Sequence, residues 1–284
     1  MTNLDKKTIS SFGDEWSHFD QLGLKNEEHK YLFDKYFHIF PWSILPQNAE
    51  GFDMGCGSGR WAKLVAPRIS KLNCIEPSIE ALKVAKKNLS KIKNVNIINA
   101  SVSDKPLPNN SQDFGYSLGV LHHIPDTLAA LQNCIEMLKP GAPFLVYLYY
   151  KFDNRSFFYV FLWYVSDLLR RCISQMPPKL KLLITDALAA ILYFPLARLA
   201  LLGENIGLKV DNWILSSYRK TSFYTMRTDS RDRFGTPLEK RFTRSEIEKM
   251  MVKVGLEEIN FSENFPFWCA VGKKKINNKA LVEN

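Results

Sequence analysis

The stretch Phe52-Asp-Met-Gly-Cys-Gly-Ser-Gly-Arg60 constrains this chain more than any other, because of what stands at a fixed distance behind it. Apolar residues lead to Asp53, and glycines follow at Gly55, Gly57 and Gly59. A second apolar run, Leu72 to Ile75, then closes on Glu76, twenty-three residues after Asp53. This layout predicts strand, glycine turn, helix, strand and acidic residue, with which an α/β sheet holds a nucleoside bearing a ribose diol. Glycines let the backbone approach a ligand closely, and Glu76 can accept hydrogen bonds from both ribose hydroxyls. A dinucleotide fingerprint would need a third glycine three residues after the second, where Arg60 stands.

Strand and helix patterns alternate from Gly51 to Tyr150. Strands are expected at Gly51–Met54, Leu72–Ile75, Val95–Ala100, Phe114–Leu118 and Phe144–Tyr149, with helices over Arg60–Ala66, Ser78–Leu89 and Thr127–Leu138. Such alternation implies a mostly parallel sheet covered on both faces. Five segments follow: a helical extension or lid at 1–47, an α/β core at 48–150, an apolar helical insertion at 151–240, a helix and two strands at 241–275, and a tail at 276–284. The extension is rich in aromatic residues, and Leu32, Tyr36 and Ile39 recur at helical spacing. Thr243-Arg-Ser-Glu246 reads as a capping box, followed by strands at Leu256–Phe261 and Phe267–Val271. The insertion holds an apolar run from Phe157 to Val165. A second stretch, Leu182 to Leu202, is interrupted by Asp186, Pro195 and Arg198. On these counts the first is too short and the second too charged to span a bilayer.

The five cysteines are scattered and show neither metal-ligand spacing nor a disulfide framework, so no metal is expected and a cytoplasmic setting is. The net charge of +9 suits nucleic acid, an anionic membrane surface or an anionic substrate, but spread lysines on solvated helix faces account for most of it.

With these motifs in place, the chain resembles the class I S-adenosylmethionine-dependent methyltransferases, within the group that contains ubiquinone/menaquinone-type and many small-molecule methyltransferases. The resemblance covers about 51–150 and 242–275. It implies a Rossmann-like seven-stranded sheet, mostly parallel with the last strand antiparallel, and S-adenosylmethionine as cofactor. Asp53, Gly55, Gly57 and Gly59 match the loop that cradles the methionine part, and Glu76 the acid on the ribose. Leu107–Asp113 and Ser117–His123 are similar to the fourth-strand segment that faces the reacting methyl group, which implicates Ser117 and Leu118. Leu138–Gly141 matches the turn before the fifth strand. Relatives place an Asp where Ser101 stands here. Ser101, the Val102 backbone and Asp104 are thus alternative partners for the adenine. Phe12-Gly-Asp-Glu-Trp16 is similar to an element that closes over the cofactor, giving Trp16 a lid role beside the plain alternative of apolar packing.

Methyl transfer from a sulfonium is an in-line displacement that rests on alignment and exclusion of water, with a base needed only for a hydroxyl acceptor of high pKa. His122 and His123, at the end of the fourth strand, are the candidate bases or orienting groups, with structural histidines as the alternative. Tyr147 and Tyr149, opposed by Tyr150, are candidates for the acceptor pocket. Arg227, Arg231 and Arg233 are candidates to clamp an anionic group, against internal pairing with Asp229 and Asp232. The insertion can cover the active site, join two copies as a homodimer, or lie on the inner face of a membrane to reach a lipid-linked acceptor. The expected activity is O-methylation of a small-molecule or lipid-linked acceptor. An RNA methyltransferase and a non-catalytic cofactor-binding protein are the alternatives, with nucleic acid disfavoured because no RNA-binding appendage accompanies the core.

Overall fold

The computed structural model describes residues 3–276; all of the expected tail except Ile276 lies outside them. Seven strands form one sheet: β1 (Glu50–Met54), β2 (Lys71–Glu76), β3 (Val95–Asn99), β4 (Phe114–Leu118), β5 (Pro143–Tyr147), β6 (Leu256–Phe261) and β7 (Cys269–Lys274). Their order is β3-β2-β1-β4-β5-β7-β6, all parallel except β7, which runs antiparallel to both β5 and β6. The order reverses between β1 and β4, and the glycine loop leaves β1 at that switch point, where open α/β sheets bind ligands.

The centre of the sheet is set by a reciprocal fit of glycine and phenylalanine. In the β1–β4 register Gly51 pairs with Phe114 and Phe52 with Gly115. A Cβ on Gly51 would sit 2.2 Å from the Phe114 ring, and one on Gly115 would sit 2.4 Å from the Phe52 ring. Each ring lies across the neighbouring strand's bare backbone, one on either face of the sheet.

One face is covered by α5 (Thr127–Met137) and α10 (Arg244–Lys253), through Leu131, Cys134, Ile247 and Met251. Thr243 and Glu246 form the expected capping box at the start of α10. The other face is covered by α3 (Ala62–Val65) and by the amino-terminal aromatics, with Phe33 and Phe37 of α2 (Asn26–Phe37) packed against Phe114, Tyr116 and Leu145. Further out, α1 (Lys6–His18) lies on α4 (Ile79–Leu89), where Gly13 leaves no room for a side chain beside Ser78 Oγ and Glu80.

The insertion carries α6 (Phe157–Ile173), a long helix built from α7 (Pro178–Leu188), a π turn at Ala189–Tyr193 and α8 (Phe194–Asn205), and then α9 (Phe223–Gly235). Pro195 lies inside this helix without breaking it. The wide turn ahead of it absorbs the residue without an N–H, and the helix continues for 28 residues. By length and composition this helix could cross a membrane, with a mean hydropathy of 1.7, contrary to the expectation drawn from its charges. Several strand ends also differ from expectation, those of β5 and β7 by two residues or more. Strand β5 stops at Tyr147 rather than Tyr149, and β7 starts at Cys269 rather than Phe267 because turn residues occupy 262–268.

Adding one methyl group at Gly51 tests the glycine–phenylalanine fit. Gly51→Ala is expected to cost about 1–3 kcal/mol by overpacking, read as a lower urea midpoint at unchanged m-value. An unchanged midpoint would show that the rings are free to move aside.

Candidate cofactor and acceptor site

Gly57 is required twice over. Its φ of +53° lies in the left-handed region, and a Cβ there would meet the Trp16 indole Nε1 at 2.9 Å. The loop is tied to the end of β2, where the N–H groups of Gly55 and Cys56 both donate to the Ile75 carbonyl, at 2.8 and 3.1 Å. Glu76 closes the cradle. One carboxylate oxygen accepts the Gly57 N–H at 3.1 Å and the other the Ser78 N–H at 2.9 Å. Burial pushes its pKa up to about 7, against the two N–H groups, which lower it. Each oxygen keeps a further lone pair for a ribose hydroxyl. Asp53 is buried below the loop and accepts the Tyr116 hydroxyl at 3.0 Å, with burial pushing its pKa up to about 8. It supports the loop from beneath. These residues fit S-adenosylmethionine: a buried carboxylate with unused acceptor capacity stands beside a cradle that no side chain can enter.

At the end of β3, Ser101 caps a single turn, Val102–Asp104. Its hydroxyl donates to Asp104 Oδ2 at 2.8 Å and accepts the Ser103 N–H at 3.2 Å. The Asp104 carboxylate also takes the Ser101 N–H at 2.7 Å. Asp104 is therefore turned back into the cap rather than inward as a substitute for the missing acid. The Val102 carbonyl accepts from Asn133 at 3.2 Å.

At the end of β4, Ser117 is fully buried and its hydroxyl donates to the Met54 carbonyl at 2.9 Å, so it braces two strands. Leu118 and Gly119 line a cavity of 520 Å³. Gly119 has a φ of +77°, with nothing within 4 Å of where a Cβ would stand. His122 and His123 do not line that cavity. A single turn over Leu121–His123 carries both rings back beneath β5, where His122 stacks on Tyr149 with ring centroids 3.9 Å apart. His123 Nδ1 bonds the Leu238 carbonyl at 2.6 Å, so the proton sits on that nitrogen. Burial pushes the pKa of His122 well below the usual range and that of His123 down to about 4, so both rings are neutral. Tyr149 stands where the histidines were expected.

The cavity begins at Trp16 and Arg60 beside the glycine loop, and its floor is formed by Tyr147, Tyr149 and Tyr150. All three tyrosines reach it because β5 ends at Tyr147 and the alternation of faces ends with it. Three carboxylates also line it, from Glu15, Asp229 and Asp232. Burial pushes Asp229 and Asp232 up to about 6 and Glu15 well above its usual range. Tyr149 donates its hydroxyl to Asp232 Oδ2.

The arginines pair differently from expectation. Arg227 binds Asp186 through Nε at 2.9 Å, away from the cavity, and Arg231 is buried against Asp14. Arg233 lines the cavity, but Glu239 at 3.2 Å and Ser166 at 3.1 Å already engage it. None of the three holds a free clamp. Sequence reasoning missed Glu15, Arg60 and Asp232 as wall residues. Glu15 and Arg60 adjoin recognised motifs, whereas Asp232 carries no local signal.

Trp16 is where a lid would be, its indole against Gly57. Helix α1 is fixed there by Ser11, which donates to the Gly235 carbonyl at 3.1 Å, and by the Asp14–Arg231 pair.

Residues 52–146 match a methyltransferase domain family. Among curated proteins, the chain is similar to demethylmenaquinone methyltransferase of Bacillus licheniformis, 24% identical over 132 residues, covering 44% of this chain and 55% of the relative. The Staphylococcus aureus protein of the same name is 30% identical over 100 residues, covering 34% and 41%. The chain thus spans about half the length of the curated relatives it matches. A solved chain in the complex between the Haloferax volcanii Trm112 methyltransferase activator and a putative methyltransferase covers 93% of this chain and 98% of its own length. It does so at 14% identity and a TM-score of 0.49, too low to carry an argument. With the domain match lying over β1 to β5 and an antiparallel β7 set between β5 and β6, the α/β core of this chain is similar to the class I S-adenosylmethionine-dependent methyltransferases.

Proposed function

We propose that this chain transfers the methyl group of S-adenosylmethionine to a hydroxyl of a small-molecule or lipid-linked acceptor. The observation that carries this reading is the cavity that runs from Trp16 and Gly119, at the cofactor loop, to the Tyr149–Asp232 pair. When bound, the cofactor supplies an electrophilic methyl group. Gly57 and Glu76 hold its ribose end, and Trp16 covers the loop and excludes water. The aromatic floor packs against a flat or apolar acceptor. The demethylmenaquinone named for the relatives belongs to that class.

Asp232 is the base in this account. Tyr149 occupies Oδ2, while Oδ1 has only a long contact of 3.5 Å, from the Thr236 hydroxyl. As the acceptor oxygen bonds to the methyl carbon and the sulfonium bond breaks, the acceptor's proton passes to the Asp232 carboxylate. S-adenosylhomocysteine and the methyl ether leave. A carboxyl raised to about 6 by burial is ionised at neutral pH yet basic enough for the task.

Turnover is expected to rise with pH through about 6, as Asp232 ionises. Asp232→Asn is expected to flatten that limb and to lower methyl incorporation from labelled cofactor into a lipid and small-molecule extract about 10²–10⁴-fold. Cofactor affinity should stay within about twofold, since Asp232 touches none of the loop. An unaltered rate in the variant would remove Asp232 from the role.

A further inference from the structure

The most apolar surface of the chain lies outside this site. On α6, Phe157, Phe158, Phe161, Tyr164 and Leu168 face solvent at the spacing of one helical stripe. The long helix presents a second row, with Leu183 67% exposed, Ile191 77%, Leu199 54% and Leu202 61%. Polar groups point the other way. Asp167 and Arg170 of α6 are buried, as are Lys181 and Thr185 of α7. Single exposed apolar side chains are ordinary, but two rows on helices that both pack on α9 mark an interaction surface.

Two observations say what covers it. The first is continuity with the cavity. Leu162 and Trp163 of α6 and Leu192 and Leu196 of the long helix form the cavity wall, and Trp213 and Ile214, both partly exposed, stand at its rim. The second is charge. The acids of these helices are neutralised: Asp167 pairs with Arg170, Asp186 with Arg227, and Glu204 with Arg219 and Lys220. Lys179 and Lys209, which bracket the long helix, are exposed and pair with no carboxylate among the described residues. Of the seven basic and three acidic residues from Lys151 to Gly203, Lys151, Arg171 and Lys179 are exposed against Asp153. A two-fold contact between copies would oppose two surfaces of the same excess charge, whereas an anionic headgroup layer complements them.

We propose that this face docks on an anionic lipid bilayer, with α6 and the long helix lying in the plane of the interface and the cavity rim turned to the lipid. The long helix does not cross in this arrangement, because polar contacts bind its inner side to protein. Lys181 donates to the Gly235 carbonyl at 3.1 Å, Ser230 to the Thr185 carbonyl at 2.8 Å, and Arg198 to the Thr221 carbonyl at 3.0 Å. Those groups would lose their partners in hydrocarbon. An interfacial helix buries only its apolar side among headgroups and upper acyl chains, which fits the two rows. The docking stands by itself; that the bilayer delivers a lipid-linked acceptor to the cavity rests on the methyl-transfer reading.

Flotation of the full chain with vesicles of neutral phosphatidylcholine, and with equal parts phosphatidylcholine and phosphatidylglycerol, tests this. The protein is expected to float with the anionic vesicles and to be released by raised salt. Phe161→Glu with Leu168→Glu, and separately Lys179→Glu with Lys209→Glu, should each lower partitioning at least about tenfold. Calorimetric binding of S-adenosylmethionine by the same preparations, unchanged in both variants, shows that the fold is intact. Three results would overturn the proposal: no flotation with either vesicle, equal flotation with both, or a sedimenting dimer that the Phe161/Leu168 substitutions dissociate. Loss of cofactor binding by the unaltered protein would count against methyl transfer and leave the docking result standing.

Discussion

The Glu76 carboxylate holds the site together. It is buried and bridges the Gly57 N–H of the glycine loop and the Ser78 N–H at the start of α4, adding to the bonds that Gly55 and Cys56 make to the Ile75 carbonyl. A buried carboxylate tolerates that position only when its oxygens are well supplied with donors. Two N–H groups leave it about half satisfied, and its pKa stays raised. A ribose diol would supply the rest. The same residue that shapes the loop is thus the one left short of partners by the protein alone.

Around this centre the chain adds two parts the core does not contain, and they meet above the loop. Helix α1 brings Trp16 over Gly57, while α9 brings Asp232 to Tyr149 and Arg231 to Asp14 of α1. The amino-terminal helix and the insertion are therefore coupled by an ion pair whose arginine is buried, and both contribute to the cavity wall. Breaking that pair would leave a buried guanidinium without its charge partner, a costly state.

Much of the core was legible because its rules are local. Parallel strands buried on both faces read as apolar runs, and the glycines, Glu76 and the Thr243–Glu246 box are signals of fixed spacing. The expected continuous strand from Phe144 to Tyr149 stops at Tyr147, where its ladder with β7 ends opposite Cys269, a partner more than a hundred residues away in sequence. Asp186, Pro195 and Arg198 argued against a helix long and apolar enough to span a bilayer, yet a π turn at Ala189–Tyr193 carries one through for 28 residues. For the histidines the geometry matches the structural alternative, with His122 stacked on Tyr149 and His123 bonded to the Leu238 carbonyl. One turn of helix decides whether His122 faces the cavity or stacks behind Tyr149, and nothing in the dipeptide encodes that choice. The partners of Arg227, Arg231 and Arg233 were equally out of reach, since Asp186, Asp14 and Glu239 come from three separate elements.

The most direct test of the account is calorimetric titration of S-adenosylmethionine into the unaltered protein and into Glu76→Ala. The account predicts roughly micromolar binding by the former. It predicts a loss of about 10–100-fold in the latter, the worth of a hydrogen bond to a charged group. An unaltered protein that does not bind, or a Glu76→Ala variant that binds as tightly, would contradict the assignment of the cradle to this cofactor.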